Sequence, residues 1–405
     1  MRQDNLEAAV PAGEDPRRYA RVLARVHDAA LSGARGPARP RPVIEASWQR
    51  MLARGLDPEH GRTDDVLPPD ELEARRRGSA LHDVLPLLRS SLTSLAEQAA
   101  HIMVVTDAAG TVLWRDGSSS VRRRADSLGF IEGMNWGEDA VGTNAIGTAL
   151  VTGQPVQVYS AEHYVRSHHT WTCACAPIRD PRSRRLLGAV DLSGPAATVS
   201  ATTLALVDAA ARLAESHLHA AHLSELDRLR ATAAPLLAKI DGPALVADRD
   251  GWIAAATGTA PPNRIVLPAD RTAGRMRLPP LGDCACEPVP GGWLIRTLPE
   301  GTGESHVRSN VVLDLRGPQA RIDVNTPSST WSQRLTPRHA ELLSLLAEHP
   351  AGRTAAQLAG DVFGDPTRTV TVRAEMSRLR RHLGGLLGQR PYRFCGGAHV
   401  DVVSP

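Results

Sequence analysis

The segment VTVRAEMSRLRRHLG, residues 370–384, constrains the fold more than any other part of this chain. Its apolar residues recur at helical spacing and form one stripe, which consists of Val372, Met376, Leu379 and Leu383. The other faces carry Thr371, Arg373, Ala374, Ser377, Arg378, Arg380 and Arg381. Small residues between arginines let a backbone enter a groove of DNA while guanidinium groups reach bases or phosphates. The pattern favours a DNA-recognition helix; the alternative is the solvated basic face of a surface helix.

The residues on either side of this segment predict a helix-turn-helix with a wing. Thr336 followed by Pro337 is typical of a helix start, with a stripe of leucines behind it. Thr354 is placed to cap a second, short helix at 355–362. Residues 391–403 alternate in polarity, which predicts a short hairpin that would form the wing.

Positive charge is concentrated in this part of the chain. Residues 334–405 contain ten arginines against six acidic residues, a net charge of +4, whereas the whole chain carries only +3. Arg390 and Arg393 stand at the base of the expected wing. A phosphate backbone would need charge in this position.

The same segment resembles the winged-helix effector domain of OmpR/PhoB-type response regulators. The matching residues are Thr371, Val372, Ser377, Arg378, Leu379, Arg380, Arg381, Leu383 and Gly384. The resemblance implies double-stranded DNA as the partner. The residues expected to contact DNA are Thr371, Arg373, Ser377, Arg378, Arg380, Arg381 and Arg393. Two departures are Ala374, where a larger apolar residue is usual, and Cys395-Gly396-Gly397 at the wing tip.

Composition excludes several classes of protein. The chain has a single lysine, Lys239, in the context PLLAKIDG, which lacks the glycines of a phosphate-binding loop. A GxGxxG dinucleotide fingerprint is also missing, so no nucleotide cofactor is expected. Neither a long apolar span nor a signal-peptide core occurs, which predicts a cytoplasmic location and no membrane partner. We find no paired carboxylates or nucleophile–base motif and therefore expect a protein that is not an enzyme.

The middle of the chain predicts a small α+β sensory domain. Residues 101–115 are two strands joined by a turn at Asp107 to Gly110, and further strands alternate with helices up to a long helix at about 202–229. This region resembles the GAF domain of acetoin- and dihydroxyacetone-responsive bacterial regulators. The matching residues are Phe130, Gly133, Trp136, Glu138, 142–147, His163, His168, His169, Trp171, Cys173, Pro177, Ile178, Asp180, Gly188, Asp191, Leu192 and Ser193. Residues 43–61 resemble the helical lead-in of those regulators, whose ATPase module is absent here.

A polar segment of this domain is the candidate effector site. Its residues are His163, His168, His169, Trp171, Cys173 and Cys175. In one interpretation they contact a small-molecule effector; in the other, the histidines cap loops and the tryptophan fills the core. Asn144 is expected to fix the GTNAIG turn rather than to touch a ligand.

The five cysteines leave three interpretations open. Cys173 and Cys175 form one C-x-C pair, Cys284 and Cys286 form another, and Cys395 stands alone. A shared zinc or iron–sulfur site is chemically possible, but structural zinc sites usually have wider spacing, so no metal is expected. The remaining interpretations are a thiol redox switch and inert buried thiols.

The expected fold class is a multidomain α+β protein in four parts. These are a helical segment at 1–88, a GAF sensory domain at 89–229, a β-rich PAS-like module at 230–332 and a winged helix at 333–405. The predicted function is a bacterial DNA-binding transcriptional regulator that senses a small molecule or redox state. A homodimer is expected, with RNA polymerase as a further possible partner. The alternatives are an adaptor or scaffold whose winged helix does not bind DNA, and a ligand-binding enzyme.

Overall fold

The structure, a computed structural model, is mixed α and β with three sheets among its described residues, which confirms the predicted α+β class. It describes residues 6–60, 66–268, 274–278, 281–298, 309–317, 319–325, 330–383, 386–388, 391–394 and 398–404. The predicted contact Arg381 lies in a helix, but its side chain is outside the description, as are Arg390 and Cys395 entirely. The chain divides into two compact units, Met1–Ala220 and Ala221–Pro405.

Four helices begin the first unit: α1 (Pro16–Ser32), α2 (Pro42–Arg54), α3 (Pro69–Gly78) and α4 (Leu81–Gln98). Proline occupies the first turn of α1, α2 and α3, where its missing N–H leaves no bond unmade. The side chain of Asp15 accepts a hydrogen bond from the Arg18 N–H at 2.7 Å and caps α1. These helices are part of the core of the unit, because Ile44, Trp48 and Met51 are buried in the same cluster as residues of the sheet.

The first sheet is antiparallel and has five strands in the order β2-β1-β5-β4-β3. The strands are β1 (Ile102–Asp107), β2 (Val112–Gly117), β3 (Val156–Tyr159), β4 (Trp171–Arg179) and β5 (Leu186–Pro195). Between them lie α5 (Ser119–Asp126), α6 (Glu138–Val141) and α7 (Ala145–Thr152), and α8 (Ala201–Leu237) follows. Asn144 caps α7 by accepting from the Gly147 N–H at 2.9 Å, the local role expected for it.

The two faces of the first sheet are covered by different elements. Alternation along the strands gives an inner face, defined by Val104, Thr106, Cys173, Cys175, Ala189 and Asp191. Its apolar members pack with α7 and α2 in one cluster. The opposite, outer face packs against α4 and the first half of α8. Because α4 is part of this core, the expected boundary at 88 falls inside a helix, and the boundary at 229 falls inside α8.

The second sheet repeats the connectivity of the first. Its strands are β6 (Ala244–Asp248), β7 (Ile253–Thr257), β8 (Gly274–Leu278), β9 (Gly282–Val289) and β10 (Gly292–Thr297), in the order β7-β6-β10-β9-β8. Its outer face packs on the last turns of α8, through Leu229, Ala233 and Leu237. The sequence predicted strands here but not that they repeat the first sheet.

The registers of the two sheets coincide residue by residue. Across the first sheet the aligned residues are Val104, Asp191 and Cys175, and across the second they are Leu245, Ile295 and Cys286. The strings CACAP at 173–177 and CACEP at 284–288 therefore occupy equivalent positions on β4 and β9. The inner face of the second sheet is defined accordingly by Leu245, Ala247, Cys284, Cys286, Trp293 and Ile295.

The third sheet underlies the predicted winged helix. Its strands are β11 (Ser309–Asp314), β12 (Arg321–Asn325), β13 (Thr330–Arg334) and β14 (Ala398–Val403), in the order β13-β12-β11-β14. Three helices, α9 (Pro337–Glu348), α10 (Ala355–Phe363) and α11 (Thr369–Leu383), share one core with this sheet. The expected boundary between 332 and 333 therefore falls within β13.

The expected wing differs from the observed structure. Residues 391–403 were predicted to form a hairpin, yet β14 pairs in parallel with β11 rather than with a neighbouring antiparallel strand. The described residues before it form only isolated bridges, Leu387 with Phe394 and Arg353 with Tyr392. The alternation of 398–403 thus reflects the edge of a larger sheet, which sequence spacing alone does not distinguish from a hairpin arm.

Candidate functional sites

The helix α11 packs as its periodicity predicts. Val372, Met376, Leu379 and Leu383 are all buried in the core shared with α9, α10 and the third sheet. Thr336 and Thr354 cap α9 and α10 through their side chains, as expected from their positions. With the apolar stripe fixed inward, the remaining faces of α11 are set by geometry.

The outward residues of α11 differ in how much they offer to a partner. Arg373 and Ser377 are exposed, whereas Thr371 and Ala374 are only 9% and 8% exposed. Thr371 and Ala374 are on α11, the helix against which α10 packs. Thr371 therefore has little side-chain surface available for DNA, in contrast to Arg373.

Three further arginines that were predicted to contact DNA differ in their interactions within the protein. Arg378 pairs with Glu375 at 3.3 Å, and Glu375 also contacts His339 of α9 at 3.1 Å. Arg380 donates from Nε to the carbonyl oxygen of Leu387 at 3.2 Å, which ties α11 to the turn that follows it. Arg393 is exposed beyond that turn. Arg380 thus holds the local structure, while Arg393 remains available at the surface.

The three histidines of the candidate effector site lie in the loop before β4. His163 and His169 each contact a carbonyl oxygen of the loop. Nδ1 of His163 lies 2.9 Å from the Ser160 carbonyl oxygen, and Nε2 of His169 lies 3.2 Å from the His163 carbonyl oxygen. Burial lowers the pKa of His163 to about 3 and the pKa values of His168 and His169 to about 4. All three imidazoles are therefore neutral at physiological pH.

His168 differs from the other two because its buried Nδ1 has no hydrogen-bond partner. Its ring lies 5.1 Å from the ring of Trp136, which in turn lies 4.0 Å from Phe130. His163 and His169 match the interpretation in which histidines satisfy loop carbonyls. His168 retains an unused polar atom beside an aromatic row.

Trp171, Cys173 and Cys175 project from β4 toward the inner face. The guanidinium of Arg124 lies 5.7 Å from the centre of the Trp171 ring, so one side of the indole has a cationic neighbour. Burial raises the pKa of the Cys173 and Cys175 thiols well above the ordinary value, and the nearby Asp191 adds to the shift. Thiols in this state are poor nucleophiles and poor metal ligands.

The second cysteine pair is in a similar state. Cys284 and Cys286 are buried and free, and burial raises the pKa of both thiols. Within the described parts of the chain, no group of three or more His, Cys, Asp or Glu side chains is arranged to hold a metal ion.

Asp191, one of the residues that match the family pattern, is a functional candidate that the predicted effector site did not include. Its carboxyl group is fully buried at the centre of the first sheet, on β5. The hydroxyl of Ser193 donates to Oδ2 at 2.5 Å, while Oδ1 has no partner. Burial raises the pKa of Asp191 to about 8 because no cation compensates the lost hydration. The sequence signal was a single acidic residue on the inward phase of the strand LLGAVDLSG.

Two buried carboxylates attach the N-terminal helices to the sensor region. Glu138 accepts from both Ser47 at 2.7 Å and Arg50 at 2.8 Å, which links it to α2. Glu162 pairs with Arg41 at 2.8 Å in the same way. Hydrogen bonds to Glu138 outweigh the effect of burial and hold its pKa below the ordinary value. These pairs are structural, and they show why residues before the sheet are needed to complete this unit.

Within the described residues, no helix has the length and apolar character that crossing a membrane requires.

Comparison with known proteins finds two levels of similarity. A family model described as the N-terminal domain of MimR matches residues 24–216. An uncharacterized 47.3 kDa protein in the thcA 5′ region of Rhodococcus erythropolis is 30% identical over 402 residues, covering 97% of this chain and 74% of the relative. Similarity to that relative therefore includes both compact units.

Two relatives with named functions each match less than half of this chain. AcoR of Bacillus subtilis (strain 168), the acetoin dehydrogenase operon transcriptional activator, is 35% identical over 190 residues, covering 46% of this chain and 31% of AcoR. MimR of Mycolicibacterium goodii, the propane 2-monooxygenase operon transcriptional activator, is 36% identical over 163 residues, covering 40% of this chain and 27% of MimR. Both are transcriptional regulators rather than enzymes.

Proposed function

This chain belongs to one family with the 47.3 kDa protein of Rhodococcus erythropolis, and on that premise we propose that it is a transcriptional regulator in which a ligand-sensing unit controls a DNA-binding unit. The sensing part is a GAF-type domain built on the first sheet. The DNA-binding part is a winged helix-turn-helix built on α9, α10, α11 and the third sheet.

The sensing role is supported by the match of residues 24–216 to the MimR N-terminal domain. AcoR and MimR are named as transcriptional activators of the acetoin dehydrogenase and propane 2-monooxygenase operons. Buried, neutral polar groups such as His168 and Asp191 are suited to a small-molecule effector. The raised pKa values of Cys173 and Cys175 favour that effector over thiol oxidation as the signal.

DNA binding is carried by one observation on α11. Its apolar stripe is buried in the core, so Arg373 and Ser377 face solvent. The same helix carries three further arginines. An exposed helix with this pattern fits the major groove, with guanidinium groups placed for base edges or phosphates. Residues 334–405 contain ten arginines and six acidic residues, and their net charge of +4 strengthens the attraction to any DNA duplex.

A contact within the second unit supports communication with the DNA-binding part. The indole Nε1 of Trp331 on β13 donates to the carbonyl oxygen of Pro288 on β9 at 3.3 Å. The second sheet is thereby bonded directly to the sheet beneath α11. We also propose a homodimer, because α8 exposes Leu213 and Leu223 at 48% and 47%, and two copies would present two recognition helices.

The test is DNA binding by the full chain. Genomic fragments selected with the purified protein should be bound with an affinity that falls steeply with salt. Arg373→Ala should weaken binding to the selected site by about 1–3 kcal/mol if the side chain reads a base. Arg228→Ala, which removes the same charge from an exposed position on α8, is the matched control and should change binding little.

One observation favours a second candidate, an adaptor that binds a protein rather than DNA. Arg378 is ion-paired with Glu375, and Arg380 bonds to the backbone of Leu387, so part of the basic face is used internally. An adaptor would select no genomic fragment at low salt. Equal loss of binding in Arg373→Ala and Arg228→Ala would also count against recognition through α11.

A further inference from the structure

Gln157 joins β3 to three other segments of the first unit that are far apart in the chain. Its side-chain Oε1 accepts a hydrogen bond from the Ala9 N–H at 3.0 Å, and its Nε2 donates to the carbonyl oxygen of Ser200 at 2.8 Å. Its backbone carbonyl oxygen accepts from a guanidinium N–H of Arg41. Only 1% of Gln157 is exposed. Because water cannot replace a lost partner at such a site, this residue constrains all three segments at once.

The side chain of Gln157 lies on the outer face of the first sheet. Its neighbours Val156 and Val158 belong to the cluster of the inner face, and Gln157 is aligned with Ala174, which belongs to the cluster of the outer face. The outer face is the one that α4 and the first half of α8 cover. Gln157 is therefore placed to act on α8 rather than on a ligand at the inner face.

The carbonyl oxygen to which Gln157 donates is at the start of α8. Ser200 precedes the helix by one residue, and its carbonyl oxygen also accepts from the Thr203 N–H at 3.2 Å in the first turn. One oxygen atom thus serves both the start of the helix and the bond to β3. The helix continues to Leu237, past the end of the first unit at Ala220. A change at Ser200 therefore acts on the first turn of an element that extends into the second unit.

The C-terminal end of β3 leads directly into the histidine loop, which we define as residues 160–170 between β3 and β4. Ser160 has a φ of +49°, a left-handed conformation that is uncommon for residues other than glycine. Its carbonyl oxygen accepts from the His163 N–H at 3.1 Å and lies 2.9 Å from Nδ1 of the same residue. Such a conformation persists only where surrounding contacts hold it. The position of the end of β3 therefore depends on His163.

A buried ion pair links the histidine loop to the same strand. Arg41, which binds the backbone of Gln157, also donates two hydrogen bonds of 2.8 Å to the carboxylate of Glu162. Glu162 is 1% exposed and accepts a further bond from the Tyr159 N–H at 2.9 Å. Separating one partner of such a pair leaves a buried charge without compensation. We therefore expect the start of the loop and β3 to move together.

We propose that Gln157 is the residue through which a rearrangement of the histidine loop reaches the first turn of α8. The route runs from the contact between His163 and Ser160 along β3 to the side-chain amide of Gln157. From there it reaches the carbonyl oxygen of Ser200. This inference rests on the proposed function, because it names how the sensing unit acts on the rest of the chain. Gln157 is a positioning residue in this scheme and does not itself bind the effector.

The experiment is a double-mutant cycle on the full chain, followed by hydrogen exchange at the Thr203 amide. His163→Leu fills the space of the imidazole but cannot donate a side-chain hydrogen bond to the Ser160 carbonyl oxygen. It should increase exchange at Thr203 by about fivefold or more, the lower end of a typical coupling between sites. When Gln157→Met has already removed both side-chain hydrogen bonds, His163→Leu should change exchange at Thr203 by less than about twofold.

Three controls separate this route from a merely structural role. His163→Asn keeps a donor close to the position of Nδ1 and should restore wild-type exchange at Thr203. Gln154→Met removes an exposed glutamine on the same side of the histidine loop, and in that background His163→Leu should keep its full effect. Exchange at Val190, in the central strand β5, measures general destabilisation. The fold-change that His163→Leu causes at Thr203 should exceed the fold-change at Val190.

The inference is overturned if His163→Leu leaves exchange at Thr203 unchanged in the otherwise wild-type chain. It is also overturned if that response is as large with Gln157→Met as without it, or if the response is lost with Gln154→Met. Gln157→Asn provides the same test where Gln157→Met does not fold, because its shorter side chain keeps the amide but cannot reach both hydrogen-bond partners.

DNA binding by the wild-type protein separates this inference from the proposed function. A protein that selects genomic fragments but shows the same response at Thr203 with and without Gln157 retains the DNA-binding function and loses this route. A protein that shows the coupling at Thr203 but selects no fragment retains the route and loses the proposed regulatory role.

Discussion

The first and second sheets have one strand order and one register, yet three equivalent positions on their inner faces carry different side chains. The first carries Thr106, Ala189 and Asp191, and the second carries Ala247, Trp293 and Ile295 at the same positions. The same strand order and register therefore accommodate a threonine, an alanine and an aspartate in one case and an alanine, a tryptophan and an isoleucine in the other. The comparison indicates that the determinants of this topology lie outside the inner face.

Those determinants are visible where the two sheets agree. Asp107 and Asp248 each accept two backbone N–H groups through Oδ1 in the hairpin turn between the first two strands. A Cβ added at Gly188 or at Gly292 would collide with the backbone carbonyl of the adjacent strand, so both positions require glycine. Turn chemistry and close approach are thus shared, which leaves the interior residues free to differ.

The largest expected effect tests whether the inner face of the second sheet tolerates a carboxyl group. Ile295→Asp would place an unpaired carboxyl in an apolar cluster and should lower the free energy of unfolding by at least about 5 kcal/mol. Chemical denaturation of the full chain, with hydrogen exchange resolving the strands, measures the loss in the second sheet. A small loss would mean that this interior accepts a polar group as readily as the first does.

The next effect concerns the volume that Trp293 fills. Trp293→Ala should destabilise the second sheet by about 3–5 kcal/mol, because a fully buried indole is removed. The partly exposed Trp252 is the matched control, and Trp252→Ala should cost clearly less. Equal costs for the two variants would contradict a filled inner face at 293.

The third effect is the pH dependence that Asp191 gives to the first sheet. The folded carboxyl has a pKa of about 8 against an ordinary value of 3.8, so the folded state holds a proton that the unfolded chain releases. Its contribution to stability is complete below pH 3.8 and is lost as pH rises toward 8. Relative to Asp191→Asn, the wild type should lose about 1.4 kcal/mol per pH unit across this window. Urea unfolding at a series of pH values measures the slope, which Thr172→Val should share with wild type.

The smallest effect tests what the sheets share. Asp107→Ala and Asp248→Ala should each cost about 1–2 kcal/mol, since each removes two hydrogen bonds to backbone N–H groups in the turn. Asp→Asn at either position keeps an acceptor and should recover most of the loss. Thermal unfolding of the four variants measures this, and a large difference between the two sites would separate the turns that appear equivalent.

Local sequence patterns predicted the elements of this fold well, because their causes are local. The apolar residues from Val372 to Leu383 have a spacing that places them on one side of a helix. Thr336 and Thr354 directly precede helices, a position in which threonine side chains commonly act as caps. Strand pairing depends on residues far apart in the chain. The alternation of 398–403 therefore predicted a strand correctly but not its parallel partner β11.

The candidate sites were predicted less completely for a similar reason. His163 and His168 both belong to the predicted site, but the hydrogen bonding that distinguishes them depends on the folded loop. Asp191 was visible as an acid in an apolar strand, yet its lack of a partner is a property of the assembled sheet. The strings CACAP and CACEP are visible in the sequence, but their equivalent positions become evident only from the strand pairing of the two folded sheets.

The parallel pairing of β14 with β11 has a consequence for how the part that contains α9, α10 and α11 folds. Ser309 is aligned with Ala398, a separation of 398 − 309 = 89 residues, with all three helices between them. Contacts so distant along the chain form late, because the intervening loop must be ordered before they are gained. During synthesis, a chain that has emerged from the ribosome as far as α11 does not yet include β14. One edge of β11 is then unpaired, and an unpaired strand edge can associate with other chains. Folding of this part is therefore expected to be slower than its helix content suggests.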